Sequence, residues 1–166
     1  MSCQYELIIT RTFDAPKEIL FNMWTDSNHL SNWRTLKGFR LDVIHVDLRP
    51  NEMLLYKQTS SEGQVIWGKY VYKEIVEPDR LVFTNSFSDE EGQTVRAPFY
   101  SSWPLEIMNT LIFQDQGGKT TLTISGIPVT ICEEELDTFK NNHEGIKQTF
   151  AESFDQLDTY LKEVVY

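Results

Sequence analysis

Apolar positions along the chain switch between a two-residue and a helical period, and each switch marks a change of element. Tyr5–Phe13 is rich in β-branched and aromatic residues and stops at Asp14, Ala15 and Pro16, which predicts a strand followed at once by a helix start. Pro16 suits the first helical turn, where its missing N–H is not needed. Ile19, Phe21, Met23 and Trp24 supply a partly periodic apolar face that ends near Asp26–Asn28. Leu30 and Trp33 lie on one side of a further short helical turn, punctuated by Lys37 and Gly38.

From Phe39 the period becomes two, with Phe39, Leu41 and Val43 alternating against Arg40 and Asp42. Further extended runs are Met53–Thr59, Val65–Ile75, Arg80–Phe87, Leu105–Phe113 and Lys119–Ile127, separated by clusters rich in Gly, Pro, Asn, Asp and Ser. In the third run Val65, Trp67, Lys69, Val71, Lys73 and Ile75 share one side, and Ile66, Gly68, Tyr70 and Tyr72 the other. Gln116, Gly117 and Gly118 sit between the last two runs as a hairpin signal. The ending returns to a helical period: Ile146, Phe150, Phe154, Leu157 and Leu161 form one apolar stripe, preceded by a helical turn over Glu133–Asn141, with Asn142 placed to cap the longer helix.

One strand, short helices, six strands and a long terminal helix predict an α+β fold, in which a curved antiparallel sheet wraps around the C-terminal helix. Alternating βαβ units are not in the pattern. Space left between a twisted sheet and such a helix becomes an apolar pocket. At 166 residues the chain is read as a single domain spanning 1–166.

Charge narrows the partners. A net charge of −10 opposes long-range attraction to nucleic acid or an anionic membrane, and neither is expected as a partner. No segment approaches the ~20 apolar residues of a bilayer-spanning helix, and the first residues lack a basic segment followed by an apolar run, so a cytoplasmic chain without membrane insertion is expected. Cys3 and Cys132 have no metal-knuckle or redox spacing and read as separate, buried, inert thiols.

The unusual supply is aromatic, with 10 phenylalanines, 7 tyrosines and 4 tryptophans. Trp67, Tyr70, Tyr72, Phe83, Phe99, Tyr100, Trp103, Phe150 and Phe154 are the candidates for a shared ligand pocket, with the tyrosine hydroxyls orienting a ligand by hydrogen bonds. The same rings also suit ordinary core packing. No catalytic residue, metal set or cofactor motif is assigned: there is no HExxH, phosphate loop or GxSxG elbow, and His29, His45 and His143 are scattered. Asp47 and Arg49 suit a local salt bridge, and Glu133–Glu135 suit a helix N-terminus.

The segments FDAP (Phe13–Pro16), WTD (Trp24–Asp26), Trp33, DLR (Asp47–Arg49), GKY (Gly68–Tyr70), PDRLVFT (Pro78–Thr84) and FAESFDQLDTYL (Phe150–Leu161) together resemble the Activator of Hsp90 ATPase-like branch of the START-like (SRPBCC, Bet v 1-like) superfamily. The resemblance covers nearly the whole chain and implies a helix-grip fold with an apolar cavity. Two departures stand out. The glycine pair that often follows DLRP in the family is Asn51–Glu52 here, and a Gly–Trp pair common on the terminal helix is Thr149–Phe150. The leading expectation is binding of a small hydrophobic or amphipathic molecule between sheet and helix. The alternatives are a protein-interaction or co-chaperone-like module acting on a chaperone or other client, and a cavity enzyme whose reaction no residue constellation selects.

Overall fold

The first strand and the last pair with each other, so the N-terminus is built into one end of a single sheet. The computed structural model describes residues 4–34 and 38–164. Strand β1 (Leu7–Phe13) leads into α1 (Lys17–Thr25) and α2 (Ser27–Trp33). There follow β2 (Phe39–Val46), β3 (Met53–Ser60), β4 (Val65–Val76), β5 (Arg80–Ser88), the two-residue β6 (Thr94–Val95), β7 (Ile107–Gln116) and β8 (Lys119–Pro128). Helices α3 (Glu133–Asn141) and α4 (His143–Glu163) close the chain. The strand order is β1-β8-β7-β5-β4-β3-β2, with β6 beside β5, and each pair is antiparallel. The curved sheet packs against α4, the α+β helix-grip arrangement that the periodicity and the resemblance imply.

Local chemistry accounts for the boundaries. Pro16 stands just outside α1 in extended conformation (φ −64°, ψ 157°), one position earlier than expected, and its carbonyl accepts from Leu20 N at 3.0 Å. Asp26 ends α1 and caps α2, its carboxylate accepting from Asn28 N at 2.9 Å. Gly117 and Gly118, at φ 66° and 92°, form the two-residue turn of the β7–β8 hairpin, where an L side chain would be strained. Asn51 takes φ 70° after the DLRP segment, and its N–H donates to Tyr72 O at 2.7 Å. Asparagine tolerates the left-handed region better than most residues, so it can hold this turn at the position where the resemblance implies a glycine.

Several expectations are corrected. A bulge between Tyr72 and Glu74 resets the alternation of β4, so Ile75 packs against the core instead of sharing the outer side with Trp67. Asn142 is the N-cap residue of α4, its carbonyl accepting from Ile146 N at 3.0 Å, but its side chain makes no capping bond and its Nδ2 donates back to Thr138 O at 2.7 Å. Cys132 is exposed, not buried, at the entry to α3, where its N–H donates to Thr130 Oγ1 at 3.0 Å. Strand β7 begins at Ile107, two residues later than read from the sequence. Cys3 and Lys37 lie outside the described residues. No described helix is long and apolar enough to cross a membrane.

The apolar stripe of α4 splits into two parts with different roles. Phe154, Leu157 and Leu161 are buried in the main core with Phe13, Trp24, Trp33, Leu111 and Leu122. Ile146 and Phe150 are only half-buried: Ile146 packs beside Leu7, Ile107 and Phe139, Phe150 beside the main core, and both also border a cavity. Helix α2 wedges between α4 and β2, with Leu30 and Trp33 fully enclosed and Trp33 Nε1 donating to Met23 O at 2.9 Å.

Tyr72 is fully buried in this core and its hydroxyl has no hydrogen-bond partner among the described residues. A buried hydroxyl that loses water without gaining a partner costs about 1–3 kcal/mol. Tyr72→Phe is therefore expected to raise the midpoint of thermal or urea unfolding, by roughly 1 kcal/mol in stability. A lower midpoint would mean that the hydroxyl is satisfied in solution.

Candidate ligand-binding cavity

Beneath the N-terminal half of α4 lies a cavity of about 480 Å³. That volume falls within the range of small-molecule sites. The sheet forms its floor because alternate residues of each strand point the same way. These are Tyr56 and Gln58 of β3, Ile66 and Tyr70 of β4, Phe83, Asn85 and Phe87 of β5, Ile107, Asn109 and Leu111 of β7, and Ile124 and Gly126 of β8. Gly145, Ile146, Thr149 and Phe150 form the roof from α4, and Trp24 and Arg34 enter from the α1–α2 side.

A third wall comes from the segment between β6 and β7. Phe99, Tyr100 and Trp103 line the cavity, and their rings form a connected cluster with Phe87 and Phe139. Phe99 is 58% exposed, so this wall borders solvent. The segment is tied down: Arg96 pairs with Glu135 of α3 at 2.9 Å and donates to Trp103 O at 3.3 Å, and the Ser102 and Thr138 hydroxyls are 2.8 Å apart.

Two polar stations interrupt the apolar lining. In one, Asn109 Nδ2 donates to Asn85 Oδ1 at 2.6 Å and to Ile107 O at 3.2 Å. In the other, Tyr56 stands edge-on to Tyr70, with ring centroids 5.7 Å apart, and Arg34 lies over the Phe150 ring at 5.0 Å. Burial pushes the Tyr56 phenol up, Tyr70 adds to this, and the positive charge of Arg34 partly offsets it. Tyr56 is thus a neutral hydroxyl across the physiological range, able to donate as well as accept. Its place depends on Gly68, its cross-strand partner: a Cβ there would overlap the Tyr56 hydroxyl.

Of the residues proposed from sequence, Tyr70, Phe83, Phe99, Tyr100, Trp103 and Phe150 stand on the cavity wall. Trp67, Tyr72 and Phe154 do not. Trp67 has the odd phase of β4 and lies half-buried on the other face, where Lys57 Nζ is 5.8 Å from its ring. Tyr72 is sealed in the core, and Phe154, one turn beyond Phe150, packs edge-on against Phe13 at 5.3 Å. Trp24, Arg34, Tyr56, Asn85, Asn109 and Thr149 were missed. Asn85 and Asn109 did carry a signal, as polar residues in the inward phase of Leu81, Phe83 and Phe87 and of Ile107, Leu111 and Phe113.

The histidines lie off the wall. His29 Nδ1 is 2.7 Å from the Tyr160 hydroxyl, and His143 Nε2 is 3.2 Å from Tyr5 O. Asp47 and Arg49 form the expected local pair, with bonds of 2.7 and 2.5 Å, and the guanidinium holds the Asp47 carboxyl below its ordinary range. Among the described residues no group of three or more His, Cys, Asp or Glu side chains is arranged to hold a metal ion.

Comparison with known proteins agrees with this geometry. A family model described as Activator of Hsp90 ATPase homolog 1-like protein matches residues 14–162. No curated protein matches the chain. Among solved structures, a protein from Arthrobacter aurescens superposes with a TM-score of 0.80 at 22% identity, covering 98% of this chain and 88% of that one. A protein from Mycobacterium smegmatis gives 0.77 at 23% identity, covering 98% and 94%. One from Rhodobacter sphaeroides gives 0.79 at 17% identity, covering 100% and 98%. At these identities the likeness is one of fold.

Gly68→Ala is expected to force the Tyr56 ring away from β4, leaving a folded protein whose affinity for a cavity probe falls several-fold. Circular dichroism and titration with the neutral fluorophore N-phenyl-1-naphthylamine check this. Unchanged probe affinity would show that the Tyr56 position does not shape the cavity.

Proposed function

The chain belongs to the Activator of Hsp90 ATPase homolog 1-like family, and on that premise we propose that it binds a small hydrophobic or amphipathic molecule between its sheet and α4. The observation that carries this reading is the cavity itself. A helix anchored along one half of its apolar stripe leaves its other half, with Ile146 and Phe150, over a ring-lined space of about 480 Å³. Apolar surface removed from water contributes roughly 25 cal/mol per Å², so an occupant that covers these rings stabilises both itself and the roof. Tyr70 and Tyr100 offer hydroxyls along the wall to orient it.

A second reading, a protein-interaction or co-chaperone-like module, draws on the family description and on Ile131. This side chain is 100% exposed between β8 and α3, beside the half-exposed Val129. If it anchors a partner, Ile131→Ser is expected to abolish a specific pulldown at physiological salt while leaving cavity-probe binding intact.

For the small-molecule reading, Thr149→Trp places a bulky ring on the roof. The wild-type protein is expected to enhance N-phenyl-1-naphthylamine fluorescence in a saturable manner, and the variant to lose at least tenfold in affinity with its melting temperature little changed. Native mass spectrometry after gentle purification adds an independent readout, a retained ligand mass. No saturable probe uptake and no retained mass in the wild-type protein would sink the reading.

A further inference from the structure

We propose that the occupant of this cavity carries an anionic, acceptor-only head group, a carboxylate, bound by the Arg34 guanidinium, with its apolar body lying along the aromatic wall. The inference rests on the small-molecule reading and specifies the ligand class.

The argument starts from the arginines. Arg11 pairs with Asp155 and Asp158, Arg40 with Asp42, Arg49 with Asp47, Arg80 with Glu74 and Arg96 with Glu135. Arg34 is the one arginine of the sequence for which no described carboxylate lies within 4.0 Å, and it is also the arginine that lines the cavity. Its Nε is closed off from solvent and has no hydrogen-bond partner among the described residues. Arg34 as a whole is half-buried, and a guanidinium partly withdrawn from water is poorly screened on that side and gains from an anionic partner. What Arg34 does have is the face of Phe150 at 5.0 Å, which favours a cation and, by stacking, does not use the in-plane N–H donors.

The surrounding groups share the same polarity. Trp24 Nε1, also buried on a wall residue, is likewise unpartnered, and an indole nitrogen only donates. Trp24 and Arg34 flank one pair of α4 rings: Trp24 lies 6.3 Å from Phe154, Phe154 lies 5.5 Å from Phe150, and Phe150 underlies Arg34. The neutral Tyr56 hydroxyl feels the Arg34 charge and is held over Gly68. A carboxylate, whose oxygens only accept, complements the Arg34 guanidinium and can also accept from the Tyr56 hydroxyl, whereas an ammonium head group is repelled by the Arg34 charge. The net charge of −10 opposes anions at long range, so any preference for an anion must come from this local cation.

Dodecanoate, dodecan-1-ol and dodecyltrimethylammonium share one chain length and differ in head group. Each is to be titrated, below its micelle-forming concentration, against protein loaded with N-phenyl-1-naphthylamine. Dodecanoate is expected to displace the probe about tenfold or more tighter than the alcohol, and the ammonium to be weakest. Arg34→Gln should equalise acid and alcohol by weakening the acid alone, Arg34→Lys should restore part of the preference, and Tyr56→Phe should reduce it by a smaller factor.

If acid and alcohol displace the probe equally in the wild-type protein, or Arg34→Gln leaves the acid's advantage intact, the head-group assignment is wrong while the cavity reading stands. If the wild-type protein takes up neither the probe nor any of the three amphiphiles, the cavity reading fails and the assignment goes with it. Should Arg34→Gln not fold, the acid-to-alcohol ratio in the wild-type protein and in Tyr56→Phe decides the matter.

Discussion

The cavity lies where the apolar stripe of α4 leaves the main core, which takes up only its C-terminal part. Phe154 meets Phe13 edge-on at 5.3 Å and lies within 6.3 Å of the Trp24 and Trp33 rings, and Leu157 and Leu161 extend this contact toward the C-terminus. Each fully buried side chain of this kind contributes roughly 1.5–3 kcal/mol, which makes this part of the helix its main anchor. A helix is stiff over this length, so anchoring its C-terminal half sets the position of its N-terminal half.

The walls follow from equally local constraints. Strands present alternate residues to one face, so each inward position is either filled from above or left facing space. Near β1, inward residues such as Phe13 and Leu122 meet α1, α2 and the anchored part of α4. Further along, Phe83, Asn85, Ile107 and Asn109 face the gap under the roof. The β6–β7 segment closes the remaining side, and its bonds to α3 make it a fixed wall. Polar side chains thus stand on rigid strands and helix ends, the placement that gives a binding group a defined direction.

Much of this was legible in the sequence. The period-two runs located the long strands, the four-, four-, three- and four-residue spacing of Ile146 to Leu161 located the terminal helix, and the Gly-Gly pair located the last hairpin. The departures have separate causes. The bulge after Tyr72 inserts a residue that no local pattern announces, so Ile75 changes side. Trp67 entered the candidate list as a large ring although its phase placed it opposite Tyr70. Phe150 and Phe154 are equivalent in period and chemistry, yet one lines the cavity and the other is core, because only Phe154 comes opposite Phe13 and the tryptophans.

What the sequence by itself determined is the type and order of the elements and the face each one buries, since period, turn residues and propensity act between near neighbours. Tertiary structure alone decided which part of that buried surface meets another side chain and which meets space. It also decided that Arg34 lies near Phe150 and Tyr56 with no carboxylate within 4.0 Å among the described residues, while the other arginines each find one. Such pairings depend on distances between residues far apart along the chain, and those distances exist only once the sheet has curved and α4 has docked on it.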